Sequence, residues 1–226
     1  MLPTLTISTE PTVQRLERML AKIDDLPIPR SLRPRVEILL VRQVAKMMDD
    51  HLPWQRGHGR RTAALARRIG SYADLSPESL HHLTLAALLH DIGLLSLPPT
   101  LVADAGCLDA RSYAARQSHP RLGAEWLGPY GFLQKASVII AHHHERWDGS
   151  GYPYGLRGTF IPIEARILAI ADAVDAIQVP GVNDQGERDR AVYRILTVGA
   201  GTQFDPHLVE TCGHRLRRPS LIFSFN

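Results

Sequence analysis

His90 and Asp91 form a doublet directly after the apolar run LTLAALL, and His142, His143 and His144 follow the apolar segment SVIIA. His58 and His119 stand alone, each at or near the start of a predicted helix, and Asp172 sits inside the apolar stretch ILAIADAVDAI. Imidazole and carboxylate together suit divalent iron, manganese, zinc or similar ions. A lone histidine on an apolar helix is more often a core residue than a ligand. Two ligand-type clusters, each following an apolar helix, are harder to explain that way. A buried acid needs a partner, and a metal ion is a good one; a hydrogen bond to backbone is the other reading of Asp172. Consecutive helical residues point about 100° apart, so His142, His143 and His144 do not easily share one ion. His51, His207 and His214 have no companions, and His81 and His82 lie in early turns of their helix, far from its His-Asp end; all five read as surface residues.

Residues 145–158, ERWDGSGYPYGLRG, hold four glycines and one proline and form no regular helix or strand. Asp148-Gly149 and Ser150-Gly151 are turn signals. Beside metal ligands, such a loop also lets backbone N–H groups approach an anionic substrate. Arg146 and Arg157 could add charge there, and Tyr152 a hydroxyl.

The elements that must position these residues are helical. Apolar residues recur at helical spacing in most segments, and no convincing strand alternation occurs, which predicts an all-α protein. Val13, Leu16, Leu20 and Ile23 make one stripe, and Val36, Leu40, Val44 and Met47 a second, separated by the breaker-rich LPIPRSLRP. These two helices form an extension over residues 1–54, packed on the core or on a second copy of the chain. Further helices are expected at 56–71, from Ser76-Pro77-Glu78 to about Asp91-Ile92-Gly93, and at 108–117, 120–128, 132–143, 163–177, 187–197 and 205–211. The main domain is expected over 55–212, with a tail at 213–226.

At 226 residues the chain is long enough for one large domain with its own core. Its 26 Lys and Arg against 23 Asp and Glu leave a formal charge of +3, and no long basic block argues for a nucleic-acid partner. Three lysines against 23 arginines mean that a phosphate-binding cation would be Arg. Cys107 and Cys212 make neither a CxxC site nor a disulfide framework, so a reducing cytoplasm is expected. Neither a signal peptide nor a spanning helix is expected.

Five ordered motifs resemble the HD-GYP family over roughly residues 55–212: HDIG at 90–93, HPRLGAEWL at 119–127, HHERWDGSGYPYGLRG at 143–158, ARILAIADAVDA at 165–176 and AGTQFDPHLV at 200–209. The resemblance implies an HD-type bundle of about seven helices around a central dinuclear metal site, and hydrolysis of the bacterial messenger cyclic di-GMP. Carried over by motif, the metal ligands fall on His58, His90, Asp91, His119, His143, His144 and Asp172, with Asp91 bridging two ions. The ions would be Fe or Mn, and a hydroxide activated between them would attack phosphorus. Gly151, Tyr152, Arg157 and Arg121 are the candidate substrate contacts. Where some members place a third-metal glutamate, this chain has Trp54, so two ions are expected. Three expected phosphate-binding cations are absent: Leu94 follows HDIG where the family has Lys, and Gly181 and Asp184 stand at the other two places. Each such contact is worth about 1.5–3 kcal/mol. Two other readings therefore stand beside the phosphodiesterase: a signalling module that keeps the metals and binds diguanylate cyclase domains or a separate input protein, and a phosphohydrolase for another phosphate ester.

Overall fold

A computed structural model of the chain describes residues 11–102, 110–177 and 185–216. Cys107, Gly181, Asp184 and the tail from 217 onward lie outside the described residues. The architecture is all-α. The helices are α1 (Pro11–Asp24), α2 (Arg33–His51), α3 (His58–Tyr72), α4 (Pro77–Leu89), α5 (Pro99–Val102), α6 (Ala110–Arg116), α7 (His119–Leu127), α8 (Gln134–Ala141), α9 (Ile163–Ala176), α10 (Gln185–Gly199) and α11 (Pro206–Leu216). Among the described residues no strand forms; one isolated bridge joins Ala200 and Phe204.

The centre of the bundle is α4. Its run from Leu83 to Leu89 is buried on every side, as expected of a helix apolar all round. Its start follows the sequence signal: Ser76 caps it by accepting from the Ser79 N–H at 3.1 Å, with Pro77 at the first helical position. Helices α2, α3, α8 and α9 pack around it. The expected stripe of α1 is buried in full, Val13, Leu16, Leu20 and Ile23 all being below a tenth exposed.

The stripe of α2 is rotated from the expected one. Glu37, Val41, Val44, Ala45 and Met48 face inward, while Val36, Leu40 and Met47 are half-buried. The cause is a polar pair that apolar periodicity does not register. The buried Glu37 carboxylate lies 2.8 Å from His81 Nε2 on α4 and accepts from Arg33 at 3.3 Å. His81 and His82 are accordingly half-buried, correcting their reading as surface residues. Both N-terminal helices join the same hydrophobic core as the bundle.

Past His90 the chain leaves α4 through a single 3-10 turn, Ile92–Ser96. Gly93 in that turn touches the first turns of α7: a Cβ there would sit 2.1 Å from the His119 carbonyl oxygen and 2.7 Å from the Gly123 nitrogen. Any side chain at 93 must push two backbones apart. Gly93→Ala is expected to cost about 3 kcal/mol, lowering Tm by roughly 6–12 °C for a chain this size. A thermal melt within 2 °C of wild type would contradict this packing.

Candidate metal centre

Three histidines enter the site with their rings already oriented. His90 Nδ1 donates to the Ala87 carbonyl at 3.0 Å, His119 Nδ1 to Arg116 at 2.7 Å, and His143 Nδ1 to Ile140 at 2.7 Å. A carbonyl can only accept, so Nδ1 carries the proton and a neutral ring presents its Nε2 lone pair. His58, at the start of α3, donates from Nδ1 to the Asp175 carboxylate at 2.7 Å. The Nε2 atoms then converge: His58 and His90 are 3.1 Å apart, and His119 and His143 are 3.3 Å apart. Facing lone pairs at such distances repel unless a proton or a metal cation lies among them. This donor set fits divalent metal.

Three groups emerge, His58 with His90 and Asp172 on one side, His119 with His143 and His144 on the other, and His90 with Asp91 and His143 between these sides, each with ligand atoms within 4.8 Å of one another. Asp91 faces both sides. Its Oδ1 is 3.2 Å from His119 Nε2, and its Oδ2 is 3.3 Å from His90 Nε2 and 3.9 Å from His58 Nε2. Asp172 Oδ1 lies 3.0 Å from His58 Nε2 and 3.6 Å from His90 Nε2. All seven expected ligand residues are thus brought together. His142 turns away, donating to the Val138 carbonyl at 2.7 Å.

The charge states follow from this crowding. Burial opposes a charge on His58, but the Asp172 and Asp175 carboxylates outweigh it and raise its pKa to about 9. His90 is likewise raised against its burial, by Asp91 and Asp172. His144 is pushed down to about 4 by burial and the neighbouring His119, and His143 falls well below the usual range by burial and the rings of His144 and His119. Asp91 and Asp172 stay well below the ordinary carboxylate range although burial opposes it, held there by the imidazoles around them. His58 and His90 would have to give up protons to hold a divalent ion, whereas His143 and His144 are already neutral.

A cavity of about 530 Å³ opens over the cluster, and a second of about 280 Å³ shares Tyr113, Gln117, His144, Tyr152 and Asp172 with it. Tyr152, an expected substrate contact, lines both. Gly151 instead packs on backbone: a Cβ there would meet the Arg146 nitrogen at 2.3 Å and the His144 oxygen at 2.6 Å. Neither Arg121 nor Arg157 lines either cavity. Arg121 pairs with Glu125 at 2.6 Å on α7, and Arg157 is exposed. Leu94 is buried in the wall of the larger cavity, with Trp54 at its rim.

Four residues that the sequence reading did not single out stand at the site. Asp175 holds His58 and also accepts from Arg61, at 2.7 and 2.9 Å. Gln55 donates to Asp91 Oδ2 at 2.6 Å. Arg61 and Arg116 line the larger cavity, Arg116 also donating to the Val102 carbonyl at 2.6 Å. For Asp175 a signal existed: it lies three residues after Asp172 in the same apolar helix, hence on the same face. Nothing local marks Gln55.

The Gly-rich loop is braced at both ends. The buried Glu145 carboxylate accepts from the Tyr154 and Leu156 N–H groups at 2.7 and 3.0 Å. The Trp147 and Asp148 N–H groups donate to Gln203 and Thr202, so the 200–209 motif supports the loop. Asp205 there caps α11 through the His207 N–H and takes Arg166 at 2.6 Å. Asp148 closes the expected turn, accepting from the Ser150 N–H at 2.9 Å.

The HD domain family matches residues 42–208 of this chain. The chain belongs to that family, and its ordered motifs make it an HD-GYP member. It is 34% identical over 173 residues to the 3'3'-cGAMP-specific phosphodiesterase 2 of Vibrio cholerae, covering 76% of this chain and 33% of that protein. It is 36% identical over 152 residues to a cyclic di-GMP phosphodiesterase response regulator of Xanthomonas campestris, covering 66% and 40%. The chain thus spans well under half the length of these relatives. A solved cyclic GMP-AMP specific phosphodiesterase of V. cholerae shares the fold, with a TM-score of 0.61 at 23% identity, covering 81% of this chain and 49% of that one.

If Asp175 orients His58, its loss must loosen metal binding without touching a ligand. Asp175→Ala is expected to weaken metal affinity by about 10–100-fold, measured by competition with a chelating dye. Unchanged affinity would remove Asp175 from the site.

Proposed function

We propose that this chain is a metal-dependent cyclic dinucleotide phosphodiesterase, acting on cyclic di-GMP. The observation that carries the reading is the convergence of five imidazoles and two carboxylates, of which His58, His119, His144, Asp91 and Asp172 line a cavity of about 530 Å³, within the range typical of small-molecule sites. Two divalent ions, Fe or Mn, would be held by His58, His90 and Asp172 on one side and by His119, His143 and His144 on the other, with Asp91 serving both. When bound, they supply an activated water and neutralise phosphate charge. The chain's own part is orientation. The Ala87, Arg116 and Ile140 carbonyls and the Asp175 carboxylate hold four rings, and Gln55 holds Asp91. Tyr152 is a substrate contact from the cavity wall. Arg61 and Arg116 are the cations that meet phosphate there, in place of Arg121 and Arg157. The catalytic unit is residues 55–212, with the helices of residues 11–54 packed against it.

One observation favours a second reading. The wall position expected to carry a lysine is the buried Leu94, and Arg61 is already paired with Asp175. Phosphate binding is then weaker, which suits a chain that keeps its metals and serves mainly as a signalling module.

The deciding assay incubates manganese-loaded chain with cyclic di-GMP and separates the products chromatographically. Hydrolysis is expected, and Leu94→Lys is expected to raise kcat/KM about tenfold or more by adding a charge-assisted contact. A fully metal-loaded wild type that yields no linear dinucleotide or GMP, with no gain in the Lys variant, would overturn the enzymatic reading in favour of the signalling module.

A further inference from the structure

Away from the metal cavity, α2 and α3 diverge over α4 and leave a groove of about 650 Å³. Five cations line it, Arg42 and Lys46 from α2 and Arg60, Arg67 and Arg68 from α3, and no carboxylate does. Arg60 reaches Asp49 at 3.8 Å. Among the described residues the other four have neither an ion pair nor a side-chain hydrogen bond. On α3, Arg60 and Arg67 fall on the side turned away from His58, by the 100° rotation per residue. The groove is therefore separate from the metal site.

Five like charges around one concavity repel one another and raise the local concentration of anions. Four of the five are Arg, whose planar fork matches phosphate and carboxylate oxygens in pairs. Arg60 and Arg67 are about 10 Å apart along α3, with Arg42 and Lys46 one turn apart on the opposite wall. That is the reach of a short phosphate chain. The volume lies within the usual range for small-molecule sites. Between the cations lie small or short side chains, Ala63, Ala64, Ser71 and Thr84. No aromatic side chain lines the groove, whereas protein docking surfaces draw their strongest contacts from aromatic anchors.

We propose that this groove binds a phosphate-rich small molecule of nucleotide size. The floor residue Leu88 lies two positions before His90, and Arg60 two positions after His58. A ligand bridging α2 and α3 above α4 thus touches the two helices, α3 and α4, that position His58 and His90.

The test uses tripolyphosphate and GTP as probes, titrated calorimetrically into the full chain at low salt. Saturable binding is expected. The double variant Arg42→Glu/Arg67→Glu should weaken it at least tenfold, and Arg42→Gln/Arg67→Gln less, with Tm unchanged because both altered positions are on the surface. Asp91→Ala should leave the affinity within twofold. Binding that survives charge reversal, or that disappears in Asp91→Ala, would place the probe at the metal site and overturn the proposal. So would equal affinity for polyglutamate, which would make the groove a docking face for an acidic protein segment.

Discussion

Asp91 is a buried carboxylate with imidazoles on both of its oxygens, His119 on one and His90 and His58 on the other. Such a group cannot be desolvated without compensation, and the surrounding structure is arranged around that requirement. The doublet must emerge from a helix that does not move, which explains why α4 is apolar on every side. The turn after it must pass close to α7, which explains the glycine at 93. The rings must point inward with their Nε2 atoms, which explains why Nδ1 of three of them meets a carbonyl one helical turn earlier and that of the fourth meets a carboxylate.

The support extends outward in layers of decreasing chemical obviousness. Asp175 aligns His58 and is itself held by Arg61; Gln55, just before α3, reaches back to Asp91. The loop from Glu145 to Gly158 packs so tightly over His144 that position 151 admits no side chain. The cost of a side chain at 93 or 151 would thus be felt at the backbones of the candidate ligands His119 and His144, although neither glycine offers a ligand atom.

Much of this was legible in the residues. The helices at 58–72, 77–89, 119–127 and 163–176 follow apolar periodicity, caps and prolines, and the candidate ligands other than Asp172, which lies inside α9, stand at helix starts and ends where periodicity breaks. What escaped has physical causes. The inward face of α2 lies one position from the apolar stripe because a polar pair, Glu37 with His81, occupies a site that hydrophobicity patterns read as surface. Gln55 and Arg116 reach the cavity through tertiary packing and leave no local trace. Arg121 and Arg157 looked suitable by charge and motif alone, but α7 turns the first outward to Glu125 and the loop exposes the second.

The central claim is that one carboxylate serves two ions, and metal content measures it. After anaerobic reconstitution with manganese or iron, elemental analysis is predicted to find about two ions per wild-type chain. It should find about one in His119→Ala, where a terminal imidazole is lost, and well below one in Asp91→Ala, where both ions lose a ligand. Equal loss in the two variants, or a single ion in the wild type, would contradict the account.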